Sequence, residues 1–449
     1  MLQAGYCQDR GSRRCLGARR RFIAGSCVMI AASPLAALLP RAQELFDRLA
    51  GLGYDGVGIT RDAYGKGETA ALEYLAGVAT ESGLVTSRDA AGNLMIDLPD
   101  YRSGPAIWVG SHLDSVPRGG NYDGAAGIIA GLLCLMQLRS EGITPPQPAR
   151  VIALRGEESA WYGKAYIGSS ALLGKLDEQD LDSRRRDDGT RLADGLAAVG
   201  ADLGRIRAGE PLIDVKNVAA YLELHIEQGP VLVARNLPTA VVTGIRGNIR
   251  HGTITCLGEA GHSGAVPRWL RRDAVFAVAE LIARLDEHWR VLLERGLDLV
   301  VTTGIIATAP EEHAISRIPG KVDFSFEVRS QSHDTLEAFY HLMQTEAATI
   351  GRNRGVSFEF DRRIYSAPAR MDEGLVRRLL SISAQHNLPT ETVPSGAGHD
   401  AAVFANAGIP SAMIFVRNAN GSHNPHESME LEDFIAGAGL LYDMLRTPL

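Results

Sequence analysis

An imidazole and two carboxylates, His112, Asp114 and Asp123, stand in a Gly- and Pro-rich stretch directly behind the short apolar run 106–109. Neutral imidazole and carboxylate are borderline-to-hard ligands, suited to Zn, Mn, Co or Ni. The same residues would also serve a polar turn whose aspartates cap the small-residue helix expected from about Gly124. Three further stretches bear on the choice. The run 151–154 leads into Gly156-Glu157-Glu158, and 219–222 leads into Glu223-Leu224-His225-Ile226-Glu227-Gln228-Gly229. The run 412–416 leads into Asn420-Gly421-Ser422-His423-Asn424-Pro425-His426-Glu427. One such arrangement could be chance; four apolar runs that each deliver His or acidic residues point to a shared metal centre.

Such a centre needs strands whose ends meet. The run 106–109, flanked by Pro105 and Gly110, reads as a buried strand. Loops leaving the carboxyl ends of strands are where open α/β sheets place their ligands. Residues 41–52 and 68–82 carry helical periodicity, and Gly92-Asn93 punctuates a hairpin before 94–98. A helix is expected over 124–138, closed by Thr144-Pro145-Pro146-Gln147-Pro148. The charged, Gly-rich segment 176–216 reads as solvated helices and loops. Composition shifts near Val242, and from there to about Asp361 the pattern is strand, helix, strand, strand, helix, strand. Strands are expected at 249–257, 299–307 and 322–328, the last alternating as a half-buried antiparallel strand does, with helices at 272–293 and 333–350.

With 449 residues, 45% of them hydrophobic, the chain can bury a large core and make two domains. A net charge of −7 argues against nucleic acid as a partner. No apolar run in the body of the chain reaches transmembrane length, so stable membrane insertion is not expected. Residues 1–40 differ from the rest. Six arginines face the single acid Asp9, and Arg19-Arg20-Arg21-Phe22-Ile23 precedes a small, apolar stretch. That order is a signal peptide's, and the paired arginines resemble a twin-arginine export signal, with Pro40-Arg41-Ala42 the one candidate cleavage point. Periplasmic export is the expectation; the competing reading is a disordered extension on a cytoplasmic protein. Cys134 and Cys256, in apolar helix and strand patterns, read as core residues.

The motifs G-S-H-L-D-S-V-P-R-G-G-N-Y-D-G, G-E-E-S, L-E-L-H-I-E-Q-G-P, S-G-A-G-H-D-A and G-S-H-N-P-H-E resemble, in order, those of the hydantoinase/carbamoylase amidases. That group lies in the dinuclear-metal peptidase/deacylase superfamily, beside allantoate amidohydrolases and β-ureidopropionases. The resemblance runs from about residue 41 to the C-terminus. It implies an α/β, aminopeptidase-like catalytic domain, with a mixed sheet between helices, over 41–241 and 362–449. The segment 242–361 becomes an inserted α+β lid, through which a homodimer is expected.

The resemblance also assigns roles. Two divalent metal ions are implied, one on His112, Asp123 and His225, the other on Asp123, Glu158 and His423, with Asp123 bridging. Chemistry alone would equally allow His426 in place of His423. Asp114 is expected to orient His112, and Glu157 to be the general base. Arg329 matches a carboxylate-binding arginine, whose fork suits an amino-acid-like substrate. His262 matches a lid histidine that polarises the scissile carbonyl from the partner subunit, and Gln228 and His399 match further pocket positions. The implied reaction is hydrolysis of the ureido C–N bond of an N-carbamoyl or ureido amino acid; allantoate hydrolysis and N-acyl deacylation are the alternatives. Two departures stand out. Ser316 in Ser316-Arg317-Ile318-Pro319 replaces the substrate-holding Asn common in the group, and the run Glu157-Glu158-Ser159-Ala160-Trp161-Tyr162 lacks the Arg-Phe pair that follows the glutamates in many members.

Overall fold

The computed structural model describes residues 33–100 and 104–449. Most of the expected export leader, including the arginine run, lies outside the described residues. The boundary at residue 40 shifts, however. Leu35 is fully buried in the core, the Ser33 hydroxyl donates to the Ile435 carbonyl at 3.0 Å, and a helix already begins at Leu39. Residues 33–40 are therefore part of the folded domain, and cleavage at Pro40-Arg41-Ala42 would remove an apolar anchor from it.

A nine-stranded sheet organises the larger half. Its order is Val85–Arg88, Leu94–Asp97, Ala149–Leu154, Ala106–His112, Val218–Ile226, Ser411–Val416, Thr239–Ile245 and Ala369–Arg370, with Thr392–Ser395 also on Thr239–Ile245. The four strands from Ala149–Leu154 to Ser411–Val416 are mutually parallel, so their carboxyl ends share one edge. Both faces are covered, as parallel strands require. Ile107 and Val109 pack with the helices Ala125–Glu141 and Leu431–Arg446, while Trp108 packs on the opposite face with Tyr221 and Phe404. Helix Ala125–Glu141 stops because Gly142 takes φ 66°, a left-handed cap, just before the Pro-rich stretch.

The sequence places the main elements, with differences at their ends. His112 and His225 sit on strands rather than in the loops after them, because the parallel ladder runs on through both residues. The expected strand 299–307 is two short pieces, Val300–Thr302 and Ile306–Ala307, on the edges of a second sheet. The segment 176–216 forms short helices whose Leu181, Leu192, Leu196 and Ile206 join Tyr64, Trp161 and Ile167 in a small buried cluster. It is more than a solvated surface.

The six-stranded second sheet is antiparallel, built around Gly247–Leu257 and Lys321–Ser330, and packs against the helices Ala274–Glu294 and His333–Arg354. Val322, Phe324, Phe326 and Val328 face its core and the residues between them are half-buried. The seams fall a few residues from those read off composition. Val242 lies in Thr239–Ile245, a strand of the large sheet, and Ile364–Ser366 still pairs in the small one. The chain therefore crosses at Arg246 and returns near Ala367. Arg246 marks the first crossing with a fork onto Asp298, Nη2 to Oδ1 2.6 Å and Nε to Oδ2 3.0 Å.

Candidate metal centre

The shared edge of the four parallel strands gathers the chemistry. Asp123 lies in the turn after strand Ala106–His112, and its two oxygens face different partners. Oδ1 is 3.6 Å from His112 Nε2 and 3.2 Å from His225 Nε2; Oδ2 is 3.3 Å from His423 Nε2, which is itself 3.2 Å from Glu158 Oε1. In each group, His112–Asp123–His225 and Asp123–Glu158–His423, the potential ligand atoms all lie within 4.8 Å of one another. Bonds of about 2.0–2.1 Å to a tetrahedral ion would set neighbouring ligand atoms about 3.4 Å apart, close to the 3.2–3.6 Å between Asp123 and the three histidines and between His423 and Glu158.

Charge supports the same fit. Asp114, Asp123, Glu157, Glu158, Glu223, Asp400 and Glu427 are all buried within or just behind the cluster. Arg61, fully buried and interacting with Asp114, Asp123 and Glu427, offsets only part of that charge. Buried charges persist when paired or bound to metal. Against the cost of burial, His112, His225 and His423 hold the Asp123 carboxyl well below its ordinary value. His423, bonded to Asp123 and Glu158, is pushed up to about 10. The donor set, borderline nitrogens and hard oxygens around one shared carboxylate, suits two divalent cations.

The local chain is shaped for this. Gly124 takes φ 67°, and a Cβ there would lie 2.5 Å from His112 Nε2, so only glycine lets the turn pass beneath the imidazole. Asp114 orients more than His112. Its Oδ1 is 3.3 Å from His112 Nδ1 and accepts the Glu157 N–H at 3.0 Å, while Oδ2 accepts the Glu158 N–H at 3.0 Å. One carboxylate thereby fixes both glutamates. Glu158 turns to His423, and Glu157 stays behind His112 with Oε2 3.9 Å from Nε2. Burial, reinforced by Glu158, Asp400 and Asp114 and opposed by His112, holds the Glu157 carboxyl well above its ordinary value. Trp161 anchors the same loop, its Nε1–H donating to the Ser115 carbonyl at 2.8 Å under the stacked Arg185 guanidinium.

Of the two chemically equivalent histidines in the last loop, His423 joins the cluster. His426 is exposed and lends its carbonyl to Asn420. Gln228, at φ 61°, donates its amide to Asp123 Oδ2 at 2.7 Å and so borders the cluster directly. His399 differs from a pocket-lining residue. It is 2% exposed, lies edge-on to His225 with ring centres 4.4 Å apart, and has Nε2 2.9 Å from Ser395 Oγ. It backs His225 because Ser411–Val416 brings Phe415 against its other side. A third group, Glu223, His225 and His399, is also close-set. Both Glu223 oxygens there already accept, from Ser111 Oγ and from the Ala401 N–H, each at 2.9 Å.

His262 and Ser316 are brought near one another, outside the ligand groups. His262 pairs with Arg317 in a two-stranded ladder, and the Ser263 N–H donates to the Ser316 carbonyl at 2.8 Å. Both His262 and Ser316 are exposed. Arg329 spans the seam: Nη1 donates to the Gly396 carbonyl at 2.8 Å and Nη2 pairs with Glu327 at 3.0 Å.

Sequence reasoning passed over Arg61, Ser422 and Glu427. Arg61 Nε donates to the Leu113 carbonyl at 2.6 Å and Nη1 to Asn121 Oδ1 at 3.1 Å, bracing both ends of the loop between His112 and Asp123. Nothing in its own neighbourhood of sequence marks it. Glu427 could have been found as the unassigned acid closing G-S-H-N-P-H-E.

A model of peptidase family M20/M25/M40 matches residues 108–447, a span holding every residue of the cluster. An N-carbamoyl-L-amino acid amidohydrolase of Geobacillus stearothermophilus is 35% identical over 410 residues, 90% of this chain and 97% of that protein. An allantoate amidohydrolase of Escherichia coli is 31% identical over 81% of this chain and 86% of its own length. A hydantoinase/carbamoylase family amidase structure from Burkholderia multivorans superposes with a TM-score of 0.81 at 27% identity, covering 92% of this chain and 98% of that one.

Proposed function

The chain belongs to peptidase family M20/M25/M40 and is an amidohydrolase of its carbamoylase and allantoate group, acting on linear amide C–N bonds, and from that premise we propose that it hydrolyses N-carbamoyl-L-amino acids. The products are the free amino acid and carbamate, which falls to carbon dioxide and ammonia. The 35% identity to an enzyme named for that reaction, along nearly its whole length, supports the choice of substrate.

His112, Asp123 and His225 would hold one cation, and Asp123, Glu158 and His423 the other. Bound there, two divalent ions would supply Lewis acidity to the ureido carbonyl and acidify the attacking water. Glu157, locked by Asp114 through its backbone N–H at 3.0 Å and ligating in neither group, takes the proton of that water. It then delivers the proton to the amino-acid nitrogen as the C–N bond breaks. Arg329 receives the substrate carboxylate in its fork, exchanging the Gly396 carbonyl and Glu327 for it. His262 of the partner subunit polarises the ureido oxygen, and Gln228 and Ser316 contact the substrate's polar groups. His399 contributes from behind by fixing the His225 ring.

The observation that carries the reading is the pair of adjacent glutamates held by one carboxylate, one turned to the ligand cluster and one left over as a base. The test is amine and ammonia release by metal-loaded enzyme on N-carbamoyl-L- and D-amino acids, N-carbamoyl-β-alanine, allantoate and N-acetyl-amino acids. Selective turnover of N-carbamoyl-L-amino acids is expected. Turnover of allantoate or acetyl substrates alone would keep Glu157 as base and overturn the substrate.

A further inference from the structure

We infer that Glu427 is a positioning residue that clasps the Asp123 loop to the His423 loop and so sets the spacing of the two ligand groups. The inference rests on the two-metal reading above. Glu427 comes from the last loop of the chain, 304 residues from Asp123. Its Oε1 accepts the Tyr122 N–H at 2.8 Å and the Asp123 N–H at 3.2 Å. Its Oε2 lies 2.6 Å from Ser422 Oγ, and the same hydroxyl lies 2.6 Å from Asp123 Oδ2. Asp123 is thus gripped at its backbone and at its carboxylate by one loop, the loop that also carries His423.

Three features make this a built arrangement. Glu427 is 7% exposed, and among the described residues its side-chain hydrogen bonds go to the ligand loops. Gly120 leaves the space it fills, since a Cβ there would stand 2.1 Å from the Glu427 carboxyl. Asn420, Gly421 and His423 all take positive φ, a sharp turn that returns the chain so that Ser422 and Glu427 face Asp123 together. Asp123 is the only residue common to both ligand groups, so a shift in it moves the two groups together. Groups that hold metal ligands in place typically govern affinity by about 10- to 100-fold.

The geometry makes opposite demands on two substitutions. In Glu427→Gln, the amide oxygen still accepts from both backbone N–H groups, and the amide nitrogen donates to Ser422 Oγ, freeing its proton for Asp123. Glu427→Ala loses every contact. Zn²⁺ affinity of the full-length protein is read by competition with a chromophoric chelator, alongside thermal unfolding with and without the ion. Expected are a near wild-type affinity for Glu427→Gln and a loss of about 10- to 100-fold for Glu427→Ala, with a smaller metal-induced rise in Tm. A residue serving stability alone would lower both Tm values equally and leave the affinity unchanged, and that outcome overturns the clasp. Gly120→Ala, which displaces the carboxyl while Glu427 remains, is expected to reproduce the loss and serves if Glu427→Ala does not fold. Wild-type protein that binds no Zn²⁺ would instead overturn the two-metal reading itself.

Discussion

Glu157 and Glu158 are neighbours proposed for opposite duties, and the difference is set by what each side chain meets. Glu158 lies 3.2 Å from His423, while Glu157 is in neither ligand group. Glu157→Gln should therefore keep the metal content of the wild type while turnover falls by about 10²- to 10⁴-fold, the usual worth of a general base; metal analysis beside steady-state kinetics reads both. Full activity in that variant would remove the base from Glu157. Arg329 is proposed to receive the substrate carboxylate, so Arg329→Lys should act on KM. The ammonium cannot reproduce the paired donors of the guanidinium fork, and losing one charge-assisted hydrogen bond, about 1.5–3 kcal/mol, raises KM about 10- to 100-fold with a smaller change in kcat. At this scale the sequence was informative where chemistry is concentrated. The stretches holding His112, Asp123, Glu158, His225 and His423 stand out because His and acidic residues recur behind apolar runs, but the choice of these five comes from the family resemblance, since chemistry alone equally allows His426. Arg61 and Ser422 do not stand out, because a single buried arginine or serine has no pattern, and only the fold brings Arg61 within 2.6 Å of the Leu113 carbonyl.

The elements explain why those ligands meet. Four parallel strands end at one edge, and each contributes a loop or a last residue to it. Apolar runs told which segments are strands. They could not tell where pairing stops, which is how His112 and His225 came to sit within their strands, nor that the order interleaves Val218–Ile226 between Ala106–His112 and Ser411–Val416. The seam falls past the composition shift near Val242 for a related reason: Thr239–Ile245 and Gly247–Leu257 are both strands, separated by one residue, yet they join different sheets. The turn after Ala106–His112 is the least tolerant of these pieces. Gly124→Ala must accept φ 67° and a Cβ 2.5 Å from His112. Left-handed strain alone costs about 1–3 kcal/mol, and the displaced imidazole is itself a ligand. Chemical denaturation should show at least that loss, and Zn²⁺ affinity should fall with it; unchanged values in both would mean the turn relaxes freely.

The whole molecule raises a question that one chain does not answer alone. His262 is exposed on the short ladder with Arg317, where its Nδ1 accepts the Gly264 N–H at 3.1 Å, and it is absent from the groups around Asp123. If lids of two chains exchange, His262 reaches its partner's centre, and an active site needs Glu157 from one chain and His262 from the other. Mixing two inactive variants tests this directly. In a hybrid of Glu157→Gln and His262→Ala, one centre collects both defects and the other collects neither. Random reassortment of a two-fold dimer makes half the dimers hybrids, so co-refolded or co-expressed protein should recover roughly a quarter of wild-type turnover. If His262 served its own chain, each hybrid centre would keep one defect and no activity would return. Recovery would therefore establish the dimer and the exchange together. A dimer by sedimentation with no recovery would place His262 in the centre of its own chain, the chain within which Arg329 already bridges to Gly396 at 2.8 Å.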